Sequence, residues 1–314
     1  MKKEPNIIFM GTPEFAARHL EALLKANKKV VGIISQPDRP AGRGRKIHPT
    51  HVKSVAIENN IPCVQPEKLA NNIEILEWIK KANPDIIIVT AYGMLLPAYL
   101  LDSAPLGAWN IHASLLPKYR GAAPIQRAIM NGEKTTGITL MQMNTGLDTG
   151  DIIIQEAIEI NENDTAGELT EKLISLGINV LLRGLELVEN GHEIPRIPQN
   201  DVLSSYAPPL KKEDFEIKWE DSADNIHNKI RGLSPKPGAR SGELKIIRSK
   251  LQTSEKVNAS AGTILEISKN GISVATGKGI VLLTEVQPAG SKVMSAADFA
   301  HGRHLISGQL IPLN

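Results

Sequence analysis

The segment GAWNIHASLLPKYRGAAP, residues 107–124, begins with a short strand-like run and continues into a loop rich in turn residues. Side chains two positions apart in a strand point to the same face of the sheet. Asn110 and His112 are therefore predicted to project side by side, while Ile111 points the other way. Because an amide and an imidazole make a poor core layer, the segment predicts a polar pair on one face of this strand.

A carboxylate is expected close to this pair. Asp148 lies in NTGLDTGD, residues 144–151, between two glycines that let the backbone bend sharply. A carboxylate beside an imidazole can orient the ring and favour its charged form. The residues alone leave a structural role equally open, with Asn110 capping a turn, His112 satisfied in the core and Asp148 starting a turn.

The start of the chain predicts a doubly wound, Rossmann-like parallel sheet. Residues 6–10, NIIFM, are a predicted strand that leads through a turn into a predicted helix at 14–25 and a second strand at 30–34. The run IIIV at 86–89 is apolar on both faces, as in a central parallel strand. No GxGxxG pattern follows the first strand, which gives little support to a dinucleotide site.

The chain is long enough for two domains, because 314 residues exceed the usual size of one. Residues 1–189, which end in a predicted helix from 165, are the expected catalytic domain. Residues 190–209 contain one glycine, four prolines and few apolar runs, so 190–205 are the expected linker. Short β-type runs with glycine turns then predict a small OB-like β-barrel at 206–314.

Composition indicates a cytoplasmic protein. Hydrophobic residues at 41% and charged residues at 22% are typical of a globular chain with a substantial core. The single cysteine, Cys63, suggests a reducing compartment. No secretory signal and no apolar run of the ~20 residues needed to span a bilayer is evident. The eight histidines form no cluster with metal-ligand spacing, so we expect no metal. We also expect the protein to be a monomer.

The charge of the chain is unevenly distributed. Residues 206–314 contain 15 Lys and Arg against 11 Asp and Glu, whereas the rest has 21 against 23. A second basic region lies in residues 35–53, whose glycines and prolines predict no regular element. This region is either a solvated loop or an arm that contacts phosphates. Its basic residues include Arg39, Arg43, Arg45 and Lys46.

Three motifs resemble the folate-dependent formyltransferases: NIHASLLPKYRGAAPIQRAI at 110–129, LDTGD at 147–151 and GTPEFA at 11–16. The resemblance covers essentially the whole chain, including the basic region and VQPAGSKVMSAADFAHGR at 286–303. It implies that Asn110, His112 and Asp148 are catalytic. It also implies a folate site formed by Ser114, Leu115, Leu116, Pro117, Met94, Leu95 and Leu96.

Members of this family that formylate methionyl-tRNA carry a similar basic insertion, which engages the acceptor end of the tRNA. The resemblance therefore implies transfer of a formyl group from 10-formyltetrahydrofolate to the α-amine of methionine on initiator tRNA. It implies tRNA contacts by Arg39, Arg43, Arg45 and Lys46. Two alternatives stay open: a formyltransferase for a sugar or nucleotide amine, and a non-catalytic RNA-binding module.

Overall fold

The computed structural model describes residues 4–41 and 46–311, and the chain divides into two compact units. The N-terminal unit comprises Met1–Ala122, Gly137–Ile158 and Lys172–Ala207. The C-terminal unit comprises Ala123–Thr136, Glu159–Glu171 and Pro208–Asn314. Each unit is thus assembled from three separate segments of the chain.

The first part of the chain alternates strands and helices. In chain order it contains β1 (Ile7–Gly11), α1 (Glu14–Lys25), β2 (Val30–Ile34), β3 (Arg39–Ala41), β4 (Lys46–His48), α2 (His51–Glu58), β5 (Cys63–Val64), α3 (Ile73–Ala82), β6 (Ile86–Thr90), α4 (Ala98–Leu101), β7 (Ala108–His112) and β8 (Arg120–Gly121). These are followed by α5 (Pro124–Met130), β9 (Thr135–Gln142), β10 (Ile152–Glu159), α6 (Ala166–Glu189) and β11 (Tyr206–Ala207).

The main sheet has seven strands in the order β10-β9-β7-β6-β1-β2-β5. The five strands from β7 to β5 are parallel, and β9 runs antiparallel to β7. The predicted Rossmann-like, mostly parallel sheet is therefore confirmed. Thr90 pairs with Gly11 on one side and Ile111 on the other, so the carboxyl ends of β1, β6 and β7 share one edge of the sheet. Ligands of open parallel sheets bind at this edge.

Two glycines let α6 pack closely, Gly177 against α1 and Gly184 against the main sheet. A Cβ atom at Gly177 would lie 2.5 Å from His19 Nε2, and one at Gly184 would lie 2.4 Å from a methyl carbon of Leu140. Both distances are too short for real side-chain contacts. This close packing explains glycine in the middle of a long helix despite its low helix propensity.

The basic region contains a short hairpin, so the prediction of no regular element there is wrong. Strands β3 and β4 pair antiparallel, with Pro40 opposite Ile47. Proline has no N–H to donate, but it is tolerated where a strand has a free edge, as in a two-stranded sheet. Three-residue strands are also too short to show the alternation by which strands are recognised in a sequence.

The C-terminal unit packs α7 (Ala223–Leu233) and α8 (Ala296–Gly302) against a second sheet. Its strands are β12 (Ala239–Ser241), β13 (Leu244–Thr253), β14 (Ile264–Ser268), β15 (Gly271–Ala275), β16 (Ile280–Gln287) and β17 (Met294–Ser295). The order is β12-β13-β16-β15-β14, with β17 beside β16. The predicted short strands are confirmed, but no pairing among the described strands closes this sheet, so the barrel expected from the sequence is not confirmed.

Helix α7 begins at a serine N-cap, because the Ser222 hydroxyl accepts a hydrogen bond from the Asn225 amide. Its apolar side, with Ile226 and Ile230, joins a core that also contains Trp219 and Phe299. No helix in the described part of the chain is both long enough and apolar enough to cross a membrane.

Candidate active site

The polar pair of β7 lies at the edge of the main sheet where ligands are expected. Asn110 and His112 are buried, with 8% and 6% of their surfaces exposed. The backbone alternation turns both side chains to one face, and both meet the same third residue, Asp148. The structure therefore brings together the three residues that the sequence singled out as catalytic.

Asp148 reaches this face from the loop that follows β9. Its carboxylate accepts a hydrogen bond from Asn110 Nδ2 at 3.4 Å, and its second oxygen lies 3.7 Å from His112 Nδ1. The distance to His112 exceeds a hydrogen bond, so these two groups interact through charge. Asp148 has a φ of 52°, which places its backbone in the left-handed region that few residues other than glycine adopt.

The loop 117–122 completes the site from the other side. The Gly121 amide donates to Asp148 Oδ2 at 2.8 Å, and His112 Nε2 lies 2.9 Å from the Tyr119 carbonyl oxygen. Because a carbonyl can only accept, Nε2 must carry a proton. In the neutral ring, Nδ1 therefore has the lone pair, and Nδ1 is the nitrogen that faces Asp148. The ring nitrogen without a hydrogen-bonded carbonyl is thus the one beside the Asp148 carboxylate.

The roles of Tyr119 and Gly121 were missed by the sequence reasoning, although both belong to the quoted motif. Gly121 has a φ of 112°, and a Cβ atom there would lie 2.8 Å from the Ala207 carbonyl oxygen. A glycine among turn residues two positions after an aromatic residue was the only available signal. It gave no indication of which side chain the Gly121 amide would meet.

The predicted folate residues 114–117 form a loop that is braced from the sheet. The Thr139 hydroxyl donates to the Ser114 carbonyl at 2.7 Å and accepts from the Leu116 amide at 3.2 Å. Gln155 donates to the Leu116 carbonyl at 2.9 Å and to the Thr139 hydroxyl at 2.9 Å. Ser114 donates to the Lys118 carbonyl at 2.6 Å, so its hydroxyl is already engaged.

The other predicted folate residues are Met94, Leu95 and Leu96. They follow the carboxyl end of β6, which lies at the same edge of the sheet as the carboxyl end of β7. Leu96 is buried, whereas Leu95 is 71% exposed. The preceding turn is tied down at the Tyr92 carbonyl, which accepts from Gln36 at 2.7 Å and from Thr12 at 3.2 Å. This edge thus offers an exposed apolar side chain beside a fixed backbone.

Of the predicted tRNA residues, Arg39 is exposed on β3. Arg43 and Arg45 lie outside the described residues, and Lys46 is described only as part of the β4 backbone. The hairpin has a fixed base, because Asp38 accepts hydrogen bonds from Lys53 Nζ at 2.5 Å and from Gln65 Nε2 at 2.6 Å.

No three His, Cys, Asp or Glu side chains are grouped as metal ligands in the part of the chain that the structure describes. The only cysteine, Cys63, is partly buried, and burial raises the pKa of its thiol to about 11. Cys63 is therefore protonated near neutral pH and is a poor nucleophile.

Asn110, His112 and Asp148 thus form a polar cluster at the carboxyl edge of a parallel sheet, and the family comparison identifies the class of protein. The formyl transferase family model matches residues 5–185, and the model of the formyl transferase C-terminal domain matches residues 209–304. The chain belongs to the formyltransferase family.

Similarity to individual relatives narrows this class. The chain is 47% identical over 307 residues to the methionyl-tRNA formyltransferase of Pelotomaculum thermopropionicum, covering 96% of this chain and 97% of the relative. It is 44% identical over 310 residues to that of Moorella thermoacetica, covering 98% and 99% of the two chains. Within the family, the chain belongs with the methionyl-tRNA formyltransferases.

Solved structures share the fold at lower sequence identity. An N-formyltransferase from Helicobacter canadensis, solved with folinic acid and dTDP-3-aminofucose, has a TM-score of 0.64 and 22% identity, with 88% of this chain and 98% of that chain covered. HypX from Aquifex aeolicus, solved with tetrahydrofolic acid, has a TM-score of 0.65 and 17% identity, with 95% and 47% covered. At these identities the likeness concerns the fold alone.

Proposed function

We propose that this protein transfers the formyl group of 10-formyltetrahydrofolate to the α-amine of methionine on initiator methionyl-tRNA. The observation that carries the proposal is the meeting of Asn110, His112 and Asp148 at the ligand-binding edge of a formyltransferase sheet. The chain's similarity to methionyl-tRNA formyltransferases over almost its full length identifies the acceptor.

Asn110 serves the developing negative charge. As the amine adds to the formyl carbon, charge builds on the formyl oxygen, and fixed N–H donors stabilise it. The Asn110 amide nitrogen has two hydrogens and uses one for the contact with Asp148. The second is available for the formyl oxygen. The hydrogen bond to Asp148 holds the amide in the orientation that this role requires.

His112 and Asp148 handle the protons. The attacking amine must lose a proton, and N10 of the departing folate must gain one. His112 exchanges its proton at Nδ1, because Nε2 is held by the Tyr119 carbonyl. Asp148, 3.7 Å from Nδ1, stabilises the charged ring while it carries the additional proton. The Gly121 amide keeps the carboxylate in place for this task.

The residues at the sheet edge fit the folate co-substrate. A flat, partly apolar ring needs apolar side chains together with a few fixed backbone polar groups. Met94, Leu95 and Leu96 supply the apolar side chains, and Leu95 is exposed. The loop from Ser114 to Pro117, held by Thr139, supplies the fixed backbone polar groups.

The tRNA is bound by basic residues in two parts of the chain. Arg39, Arg43, Arg45 and Lys46, in the basic region at 35–53, contact the acceptor stem. The domain at 206–314 acts as an OB-like module whose basic surplus contacts phosphates. The residues that carry the chemistry lie within 1–189, the predicted catalytic domain, and the predicted linker at 190–205 precedes the tRNA-binding part of the chain. The protein works as a cytoplasmic monomer without a metal.

A direct assay tests this proposal. Purified protein is given 10-formyltetrahydrofolate and one of four acceptors: initiator methionyl-tRNA, elongator methionyl-tRNA, uncharged initiator tRNA or a small sugar amine. We expect formylation only of methionyl-tRNA, with the initiator form preferred. Formylation of the sugar amine instead would assign the protein a different acceptor. Binding of tRNA with no formyl transfer would show a non-catalytic RNA-binding protein.

A further inference from the structure

The backbone of the Asp148 loop is held by a side chain from the segment that the sequence treated as a linker. Gln199 Nε2 donates to the Asp148 carbonyl oxygen at 2.8 Å and to the Gly150 carbonyl oxygen at 2.7 Å. A primary amide has two hydrogens, so each carbonyl receives one. The two bonds span Thr149 and fix the loop immediately after the catalytic aspartate.

The orientation of the Gln199 amide is itself determined. Its oxygen accepts from Arg120 Nε at 3.1 Å and from Arg120 Nη2 at 2.7 Å. A guanidinium group can only donate, so the amide oxygen must face Arg120 and the nitrogen must face the loop. Arg120 directly precedes Gly121, whose amide binds the Asp148 carboxylate. Gln199 thereby links two chain segments. It binds the backbone of the Asp148 loop, and it binds Arg120, which is next to the Gly121 amide that holds the Asp148 side chain.

Gln199 is not needed to hold its own segment, residues 197–207, which we call the strap. Ile197 exchanges both backbone hydrogen bonds with Ile152, at 2.8 and 3.0 Å. At the other end β11 pairs with β8, and the Ser205 hydroxyl accepts from the Tyr119 amide at 2.9 Å. Because these contacts fix the strap, the Gln199 side chain is left to act on the Asp148 loop.

The Asp148 loop needs such support. Asp148 has left-handed backbone geometry, and the internal hydrogen bonds of the loop end at Asn144, whose side chain accepts from Gly146 and Thr149. A backbone in a sparsely populated conformation persists only where its surroundings determine it. A displacement of about 1 Å at a reacting group can reduce the rate by about 100-fold.

We propose that Gln199 is a positioning residue for Asp148: its amide fixes the Asp148 and Gly150 carbonyls and so keeps the Asp148 carboxylate on Asn110 and His112. The inference rests on the proposed function for the role of Asp148. The position of the loop can nevertheless be measured without turnover.

Two variants test the proposal. Gln199→Leu removes every hydrogen bond of the side chain, whereas Gln199→Glu keeps the shape and the Arg120 contact but has no N–H to donate. Asp201→Ala is the control, because it removes only the exposed partner of Arg120, at 2.7 Å, and leaves Gln199 bonded. Gln199→Glu keeps the test possible if Gln199→Leu does not fold.

We expect both Gln199 variants to lower kcat by about 10- to 100-fold, with the KM values for folate and tRNA within about 3-fold of wild type. Asp201→Ala should stay within about 2-fold of wild-type kcat, since exposed ion pairs contribute little. A purely structural residue would instead reduce the melting temperature and leave kcat of the folded enzyme unchanged.

Amide hydrogen exchange, followed by NMR without substrates, gives the second readout. The Gly121 amide is protected by Asp148, whereas the neighbouring Ala122 amide is protected by the Ala207 carbonyl at 2.9 Å. We expect exchange at Gly121 to accelerate at least about 10-fold in the Gln199 variants and exchange at Ala122 to stay unchanged. Wild-type exchange at Gly121, or wild-type kcat, in a folded Gln199 variant would overturn the proposal. Faster Gly121 exchange in a protein that does not formylate methionyl-tRNA would support the positioning and contradict the proposed function.

Discussion

Asn110, His112 and Asp148 come from two distant parts of the sequence and meet on one face of β7. Asn110 and His112 are polar, so we expect that either side chain can be truncated without unfolding the hydrophobic core. Asn110→Ala and His112→Ala should each lower the formylation rate by about 100-fold or more. The first removes a donor to the developing charge, and the second removes the group that exchanges protons. Both proteins should keep the wild-type circular dichroism spectrum. Wild-type turnover in either variant would remove that residue from the site.

The same residues show how far the sequence predicted the site. Strand alternation placed Asn110 and His112 on one face, and the glycines around Asp148 indicated a sharp turn. The sequence did not indicate that His112 would be held at Nε2 by the Tyr119 carbonyl. That contact depends on a loop folding back onto the strand, with Tyr119 at a φ of 60°, and local propensities do not specify such tertiary contacts.

A second residue-scale prediction concerns His19, which is fully buried in α1. Burial lowers the pKa of His19 from 6.5 to about 4, while Phe15 accepts its Nδ1 hydrogen at 2.7 Å. Between these two pH values the unfolded chain therefore binds a proton at His19 that the folded protein does not bind. Above pH 6.5 the free energy of unfolding is unaffected by this difference. As the pH falls to about 4, the free energy of unfolding decreases by on the order of 3 kcal/mol.

Urea unfolding at several pH values checks this expectation. His19→Gln can still donate to the Phe15 carbonyl but does not titrate, so its free energy of unfolding should decline less than that of wild type between pH 6.5 and 4. Burial also lowers the pKa of His227, which contributes to the decline in both proteins. Parallel curves for the two proteins would show that His19 does not titrate as described.

At the scale of elements, β9 and β10 hold the loop 114–117 through Thr139 and Gln155. Thr139→Val keeps the side-chain volume but leaves the Leu116 amide and the Ser114 carbonyl without their partner. We expect the Kd for a folate analogue to rise about 10-fold, the effect of losing one or two buried hydrogen bonds. Thr139→Ser retains the hydroxyl and should bind as wild type does. Tight folate binding by Thr139→Val would mean that the loop does not line the folate site.

Local pattern predicted the elements of the main sheet well and their non-local pairing less well. The apolar run at Ile86 correctly indicated a central strand, since such a strand is buried on both faces. The β3–β4 hairpin was missed because three-residue strands have no readable period and Pro40 argues against a strand. In the second sheet the strands were found, but whether β14 meets β12 depends on curvature, which a sequence pattern does not specify.

For the whole molecule, the contacts assign α5 to the C-terminal unit, where it packs on α7. An added Cβ atom at Gly232 in α7 would lie 2.7 Å from the Met130 side chain, which shows how close this packing is. No periodicity in the sequence links these helices, which are almost 100 residues apart (roughly the length of a small domain). Removing residues 206–314 would therefore expose part of α5. Single substitutions are a cleaner test than this truncation of whether the C-terminal unit binds tRNA.

The basic surplus of the C-terminal unit predicts a salt-dependent share of tRNA affinity. Lys250, Lys269 and Lys278 are exposed, and replacing all three by glutamine should weaken tRNA binding most at low salt. Each lost phosphate contact should reduce the slope of log affinity against log salt by about 0.7 to 0.9. Lys25→Gln, an exposed change in α1, is the control. An unchanged slope in the triple variant would place the tRNA contacts elsewhere.

The most direct measurement is single-turnover formylation of initiator methionyl-tRNA by Asp148→Asn, with equilibrium binding of a folate analogue measured on the same protein. Asparagine keeps the shape of the side chain but removes the charge beside His112. We predict a rate at least about 100-fold below wild type, with folate affinity within about 3-fold. A wild-type rate, or a rate and folate affinity that fall together, would contradict the assignment of Asp148 as the charge that makes His112 catalytic.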